Sequence, residues 1–552
     1  MGRSWGWRAP AFVAACVALV ATASTAGACE PGATLRGPDA NTTAAANAAA
    51  AGDEAVPSAR CGPGSHPETG VQGEVPRADR QSGRVLQAYA CNVEELGHFQ
   101  GQGTSYVNQS YGSCAYLATR AGDTASPGVQ VVDVSDVRHP VLASTLRTPA
   151  MLAAWESLKV NERRGLLAAV TALGPAGNGA VFFDVYDIAT DCRHPRLLDS
   201  VSGQQLSIPS NAAGHEGNWS PDGNTYWSDG IGAMTAIDVT DPTAPHVLYV
   251  GSPSPSGHGF GISADGDRLY LAQSGNLTQS LAGAADPTGQ NPNGLIVLDA
   301  SDIQQRRPNP QLRRVSSLFW ADGGTAQMAV PVTYRGHPYV VFTDELLYGG
   351  GRIIDLGDEH HPRIVSKLKL AIQLPAYADA RAADTQASGI FGYNAHYCAV
   401  DWPTDPTAAA CGYFESGIRV FDIRDPAHPR EIAYFHPPAQ LGHNAQLDGS
   451  EHAAGTGANN QLTADWCSSP PRFVGSQLWV ACQDYGFMTL QLARSTYPLP
   501  PLRGTTGSML LVAPQLPLAL VAVLAGTAAD VRRRRRPRGR RRHRTRSYQP
   551  AC

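Results

Sequence analysis

The sequence is poor in lysine, in aromatic residues and in the short motifs that mark common catalytic sites. Only 7% of its 552 residues are aromatic, and lysine supplies three of the 43 basic side chains. No C-x-x-C pair, H-E-x-x-H pair, P-loop, G-x-S-x-G elbow or G-x-G-x-x-G turn stands in a supporting context. The chain therefore carries no motif for thiol redox chemistry, nucleotide binding or a serine-hydrolase site.

Positive charge is concentrated at one end of the chain. The formal net charge is −4, and 11 arginines lie between Arg532 and Arg546, so the remainder carries −15. An acidic body argues against nucleic acid or an anionic lipid surface as its partner. We therefore expect no nucleic-acid partner.

The N-terminus has the features of an export signal. Arg3 and Arg8 precede an apolar run, and Ala26-Gly27-Ala28 has the small-x-small pattern of a signal-peptidase site. This pattern predicts a signal peptide over residues 1–28. Cys29 follows directly and raises the alternative of a lipid-modified cysteine, although Ala26 stands where a lipoprotein box usually has leucine.

The C-terminus predicts a membrane anchor. A linker over residues 496–507 precedes an apolar stretch at 508–529, which is long enough to cross a bilayer in spite of Pro514 and Pro517. The Arg-rich tail at 530–552 belongs in the cytoplasm by the positive-inside rule. A sortase signal is the rival interpretation, but its L-P-x-T-G core is missing.

Residues 29–84 are rich in Ala, Gly, Pro, Asn and Asp and have few large apolar side chains. Such a segment buries too little apolar surface to offset its chain entropy. We expect a flexible Ala/Gly/Pro-rich spacer, in which Cys61 is the one point that could be tied down.

A strand-turn-strand unit organises the rest of the chain. Its first example is VQVVDVSDVRHP, Val129 to Pro140, and its first aspartate recurs with gaps of 54, 51, 61, 56 and 67 residues. An aspartate that ends a strand can accept backbone N–H bonds of the following turn, so a structural role is expected. The six positions are Asp133, Asp187, Asp238, Asp299, Asp355 and Asp422.

A second signal completes each unit. Ser-x-Asp-Gly turns between apolar runs, as in Asn218 to Ser228 and Gly261 to Gln273, predict hairpins before the aspartate strand. Four strands per unit make a propeller blade. We predict an all-β, seven-bladed β-propeller over residues 85–495, with six to eight blades possible. The last unit lacks a strand, and we expect the N-terminal strand Val85 to Ala90 to close it.

The repeated V-x-V-V-D-V-S-D-x-x-x-P unit resembles the LVIVD repeat of bacterial and archaeal surface proteins. The match is good at Asp133, Asp238, Asp355 and Asp422 and looser elsewhere, and the last unit lacks the motif. The resemblance implies a propeller at the cell surface. It does not imply one activity, because propellers host many functions.

Cysteine usage fits an oxidising compartment. Outside the signal peptide, the cleavage site and Cys552, an even set of eight remains, which suggests four disulfides. Cys398 with Cys411, and Cys467 with Cys482, each span a predicted hairpin; the pairing of the others, or buried free thiols, stays open. The other four are Cys61, Cys91, Cys114 and Cys192.

Histidines supply the only constellation that could carry chemistry. Gly-His or Ala-His pairs recur near the starts of units, and residues at that place in a propeller could converge on the central channel. The five positions are His98, His215, His258, His396 and His443. Neutral imidazoles facing one cavity suit Cu, Zn or Fe(II), and Glu216 could add a carboxylate or a base.

Rival interpretations of these histidines remain open. Repeat-encoded histidines can bond backbone groups between blades, or hold a non-metal ligand. Copper-containing methanethiol oxidases are also propellers with channel histidines, but their motifs are not evident here. Asp344 and Glu345 could bind Ca²⁺ or simply be solvated.

Three functions remain. The first is an exported, membrane-anchored propeller that binds an envelope or extracellular protein or a glycan. The second is a metal-dependent oxidoreductase or hydrolase that uses the channel histidines. The third is a structural cell-surface component.

Overall fold

The computed structural model describes residues 53–120, 126–171, 181–199, 204–206, 214–230, 232–283, 287–384, 390–443, 446–456 and 464–500. The predicted signal peptide, the possible lipid site at Cys29, the segment 508–529 and the Arg-rich tail lie outside these residues. Within them, no helix combines the length and the apolar character that a membrane crossing needs.

Seven antiparallel sheets of four or five strands make up the structure. The first two strands, β1 (Tyr89–Cys91) and β2 (Val93–Phe99), join the sheets formed by the end of the chain. The strands of blade one are β3 (Asn108–Tyr111), β4 (Cys114–Leu117), β5 (Val129–Asp133) and β6 (Val141–Leu146). Those of blade two are β7 (Lys159–Asn161), β8 (Leu166–Val170), β9 (Val181–Asp187) and β10 (Arg196–Leu197), with β11 (Gln204–Leu206) also paired to β9.

Blades three to five each use four consecutive strands. Blade three has β12 (Glu216–Trp219), β13 (Thr225–Asp229), β14 (Met234–Asp238) and β15 (His246–Gly251). Blade four has β16 (Gly257–Ile262), β17 (Arg268–Ser274), β18 (Asn293–Asp299) and β19 (Arg313–Phe319). Blade five has β20 (Gly324–Tyr334), β21 (His337–Leu346), β22 (Gly350–Asp355) and β23 (Arg363–Leu368).

The last two blades take in the two N-terminal strands. Blade six has β24 (Cys398–Val400), β25 (Ala408–Gly412), β26 (Ile418–Asp422) and β27 (Arg430–His436), with β1 paired to its outer edge. Blade seven has β28 (Arg472–Val474), β29 (Gln477–Cys482) and β30 (Gly486–Leu492), with β2 as its outermost strand.

Helices are short connections. They are α1 (Arg77–Ser82), α2 (Pro149–Leu152), α3 (Leu277–Leu281), α4 (Ser301–Gln304), α5 (Ala378–Asp384) and α6 (Glu451–Thr456), with 3₁₀ turns at Arg84–Leu86, Ala371–Gln373 and Pro375–Tyr377.

The innermost strands of successive blades lie side by side from β3 to β28. Asn108 of blade one closes the ring, because its side-chain oxygen accepts a hydrogen bond from the Ala481 N–H of blade seven at 3.1 Å. Apolar side chains fill the space between neighbouring blades, as where Val170 and Phe183 of blade two pack with Tyr226 and Ile237 of blade three. The predicted seven-bladed propeller is confirmed.

The repeated aspartates end the third strand of blades one to six. In each blade one carboxylate oxygen accepts the N–H of the residue two positions later, at 2.7 to 3.2 Å. The aspartate thus fixes the turn into the fourth strand.

Closure of the last blade by an N-terminal strand is confirmed, but the strand differs from the one expected. Val93–Phe99 pairs with β30, while Val85 lies in a 3₁₀ turn and Tyr89–Cys91 extends blade six. β2 therefore pairs along the outer edge of β30, so that edge of β30 is not exposed.

Residues 53–84 differ from the expected flexible spacer, because they dock on blades five and six. Val56 and Val75 are buried, and the Val56 N–H donates to Lys369 O at 2.9 Å. Arg80 is buried and forms an ion pair with the buried Glu415 at 2.9 Å. Ion pairs and a disulfide hold this segment where apolar residues are few.

Four disulfides form, the number that the even set of eight cysteines suggests. Cys398–Cys411 and Cys467–Cys482 are the two local pairs that the hairpins indicate. Cys61–Cys91 ties the docked N-terminal segment down, and Cys114–Cys192 joins blades one and two.

Docking of the N-terminal segment depends on the Arg80–Glu415 pair. Arg80→Leu leaves a buried carboxylate without its cation, so we expect the free energy of unfolding to fall by about 3–5 kcal/mol in guanidinium denaturation. Arg60→Ala, in the same segment but exposed, is the control and should change little. Equal effects of the two substitutions would contradict this assignment.

Candidate metal centre

Three of the five predicted histidines converge at the ends of the innermost strands. His215 directly precedes β12, His258 lies on β16, and His396 stands two residues before β24. His258 and His396 are buried, and the His215 side chain is 13% exposed. These strands therefore bring residues that are distant in sequence to one place in the central channel.

A carboxylate that the sequence patterns did not indicate, Glu156, lies between these histidines. Its Oε2 is 3.3 Å from His215 Nε2 and 3.8 Å from His258 Nε2. Its Oε1 is 3.5 Å from His396 Nε2, which in turn lies 3.3 Å from Glu345 Oε2. One carboxylate thus faces all three imidazoles.

Local backbone strain accompanies this carboxylate. Trp155, the preceding residue, has φ of +42°, a conformation that a bulky side chain rarely adopts. Gln327 Nε2 donates to Glu156 Oε2 at 3.1 Å. The strained turn at Trp155 and the hydrogen bond from Gln327 together hold the Glu156 side chain between the histidines.

The hydrogen bonds of two imidazoles fix which nitrogen faces the cluster. His258 Nδ1 donates to Ala326 O at 2.9 Å, and His396 Nδ1 donates to Ser468 O at 3.0 Å. Because a carbonyl oxygen only accepts, each Nδ1 carries the proton when the ring is neutral. The Nε2 atoms of both rings therefore face the cluster, as in histidines that ligate metals.

Without a metal, charge in the cluster is balanced by protons. Burial alone would lower the pKa of His396, but Glu156 and Glu345 raise it to about 9. Burial and the neighbouring His215 lower the pKa of His258. Burial would raise the pKa of Glu156, but His215 and His396 hold it well below its ordinary value.

The distances suit a metal ion. The donor atoms of Glu156, His215 and His258 all lie within 4.8 Å of one another. Ligands about 2.1 Å from one ion at tetrahedral angles lie roughly 3.4 Å apart. The two histidine–carboxylate distances are near this value, while the 2.6 Å between His215 Nε2 and His258 Nε2 is a hydrogen-bond distance that an ion would widen.

Glu216 lies next to the cluster but is occupied elsewhere. Its Oε1 forms an ion pair with Lys159 Nζ at 2.6 Å and accepts the Gly217 N–H, while its Oε2 accepts the Tyr397 hydroxyl. Burial raises the Glu216 pKa, against the opposing effect of Lys159. The structure thus places Glu156, rather than Glu216, among the histidines.

Aromatic rings line the cluster. Trp155 lies 5.3 Å from the His215 ring, and Tyr106 and Phe414 each lie 5.1 Å from the His396 ring, between centroids. Binding sites for small molecules combine such walls with a few polar groups. Three aromatic rings therefore pack directly against the imidazoles of the cluster.

The other two predicted histidines lie away from the cluster. His98 is on β2, the outermost strand of blade seven, where its ring stacks on Tyr485 at 4.2 Å. His443 is exposed. The Gly-His pattern does not bring these two to the cluster, because β2 is an outer strand and His443 lies in a connection between strands.

Neither acid of the Asp344-Glu345 pair is simply solvated. Asp344 is buried against Arg352 at 2.6 Å, and Glu345 faces His396.

The sequence holds a weak signal for Glu156 in its position within the repeat. Glu156 lies three residues before an innermost strand, close to the positions that His215 and His396 occupy in their own blades.

A second buried histidine–carboxylate cluster has a structural explanation. His452 Nδ1 lies 2.5 Å from Asp484 Oδ2, and Asp465 is nearby. Asp465 accepts the N–H groups of Trp466, Asp484 and Tyr485 at 2.7 to 2.9 Å. These bonds anchor the connection before β28.

Comparisons with known proteins identify no family for this chain. No family model matches the chain, and no curated protein matches it. Among solved structures, a Bacteroides uniformis protein provisionally named a 6-phosphogluconolactonase is 12% identical, with a TM-score of 0.45, covering 71% of this chain and 95% of that one. The designed Ika8 protein is 10% identical, with a TM-score of 0.36, covering 72% and 99%. A chain of the mitotic checkpoint complex is 11% identical, with a TM-score of 0.39, covering 72% and 90%.

The Lys159–Glu216 pair should contribute to stability. Lys159→Met leaves Glu216 buried without its cation, so we expect the free energy of unfolding in urea to fall by about 3–5 kcal/mol. Adding Glu216→Gln removes the stranded charge and should recover part of that loss. A double variant no more stable than Lys159→Met would contradict the pairing.

Proposed function

We propose that this protein is an exported metalloenzyme with a non-haem iron centre in the propeller channel. The observation that carries the proposal is the grouping of His215, His258 and Glu156. Two histidines and one carboxylate on one face of an ion are the ligand set of non-haem Fe(II) oxygenases, and this set leaves positions open for substrate and oxidant.

The donor distances support a facial rather than a meridional set. In a meridional arrangement, two of three ligands lie on opposite sides of the ion, about 4.2 Å apart for bonds of about 2.1 Å. The largest separation among these three donor atoms is the 3.8 Å between His258 Nε2 and Glu156 Oε2. An ion bound to all three would therefore keep open positions on its far side.

The aromatic surroundings would suit a small apolar substrate, with dioxygen as the oxidant. When bound, iron would supply the redox chemistry. The chain would orient the ligands through Ala326 O and Gln327, and the rings of Trp155, Tyr106 and Phe414 would exclude water and contact the substrate.

Export is supported by the four disulfides, which persist in oxidising compartments. Three other expectations stay predictions of the sequence: the LVIVD family assignment, the membrane anchor and the surface location. So does binding of an envelope protein or glycan.

Metal content tests the ligand assignment. In protein exported to an oxidising compartment and purified without chelating resin, His215→Ala and His258→Ala should each reduce bound metal at least about tenfold, because each removes one first-row-metal ligand. Mass spectrometry of the metals, normalised to folded protein, measures this loss.

The chain offers matched controls. His98→Ala and His443→Ala remove histidines with the same sequence context but outside the cluster, and should retain the metal. Glu216→Gln should also retain it, whereas Glu156→Gln should not. Loss of metal in the controls alone, or no stoichiometric metal in the unaltered protein, would refute the assignment.

Open positions on the metal can be tested without knowing the substrate. Metal-free protein reloaded anaerobically with no more than one Fe²⁺ per chain should bind nitric oxide and give a high-spin iron–nitrosyl EPR signal, because a two-histidine, one-carboxylate set leaves free positions. Glu156→Gln should lose this signal, and His98→Ala should keep it. Bound iron that gives no nitrosyl signal would exclude the oxygenase-type centre.

A further inference from the structure

His396 has a buried ring nitrogen, Nε2, that is not a ligand in the proposed three-ligand site. The side chain is fully buried, and within the described part of the chain its Nε2 has no hydrogen-bond partner. Nδ1 is tied to Ser468 O at 3.0 Å, so the ring orientation is fixed. A buried polar atom of this kind requires a partner, since leaving it unsatisfied is costly.

Two carboxylate oxygens face this nitrogen. Glu156 Oε1 lies 3.5 Å from His396 Nε2, and Glu345 Oε2 lies 3.3 Å from it. Both separations fit neighbouring ligands of one first-row metal ion, which lie roughly 3.0–3.6 Å apart. The two oxygens and the nitrogen thus form a second set of donors.

Glu156 joins the two donor sets. Its Oε2 faces His215 and His258, whereas its Oε1 faces His396. A carboxylate that directs its two oxygens to separate donor sets can bridge two ions, which in two-metal sites lie about 3.5–4 Å apart.

We propose that the channel holds a second metal ion, bound by His396, Glu345 and Glu156 Oε1, and that Glu156 bridges it to the ion at His215 and His258. The proposal rests on the proposed function, because the bridge requires the first ion. It makes the centre dinuclear.

The rival explanation is charge pairing alone. A protonated His396 between Glu156 and Glu345 would satisfy the same three side chains without a metal. The two explanations differ in how many ions the protein holds, and in what removal of Glu345 does to that number.

Metal stoichiometry separates the explanations. Full-length protein is stripped with chelator, reloaded with Mn²⁺ and dialysed, and we expect about two manganese ions per chain with an exchange-coupled EPR signal. His396→Ala and Glu345→Gln should each retain about one ion, with the signal of isolated Mn²⁺. His98→Ala, the control outside the cluster, should retain both ions.

Other outcomes overturn the second ion or both proposals. One ion in the unaltered protein overturns the second site. It leaves the proposed function in place if His396→Ala keeps that ion, and it overturns the proposed ligand set as well if His396→Ala loses it. No ion in the unaltered protein overturns both. Glu345→Gln is nearly isosteric, so it carries the test if His396→Ala fails to fold.

Discussion

A single buried carboxylate, Glu156, is the group on which the centre depends. Removing a charge from water is expensive unless opposite charges or metal ions compensate it. Here three imidazoles surround the carboxylate, and two of them have Nδ1 bound to backbone carbonyls of the propeller. Those two bonds orient the His258 and His396 rings before any ion binds, as the outer partners of metal-ligating histidines do.

The propeller provides that geometry through its innermost strands. His215, His258 and His396 stand at or just before the first strand of their blades, and Glu156 lies three residues before another. Apolar side chains pack between neighbouring blades, and the N-terminal strand β2 completes the last blade. A change in one blade would shift one ligand relative to the rest.

The sequence predicted what local chemistry determines. The aspartate turns recur because each forms hydrogen bonds within its own turn, so the blade count followed from the periodicity. The closing strand lies eight residues further along than expected, because Val85 to Ala90 is as strand-like as Val93–Phe99 and only pairing with the distant β30 decides between them. Glu156 was missed for the same reason: its partners are 59 or more residues away, and no motif connects them.

Anomalous diffraction at the metal edges tests the account most directly. Crystals of protein purified without chelators should show an iron peak within bonding distance of His215, His258 and Glu156, about 2.1 Å from each donor atom. A channel without any anomalous peak, or a peak at His452 and Asp484 instead, would contradict the account. In either case the buried carboxylate would serve only to pair protonated histidines.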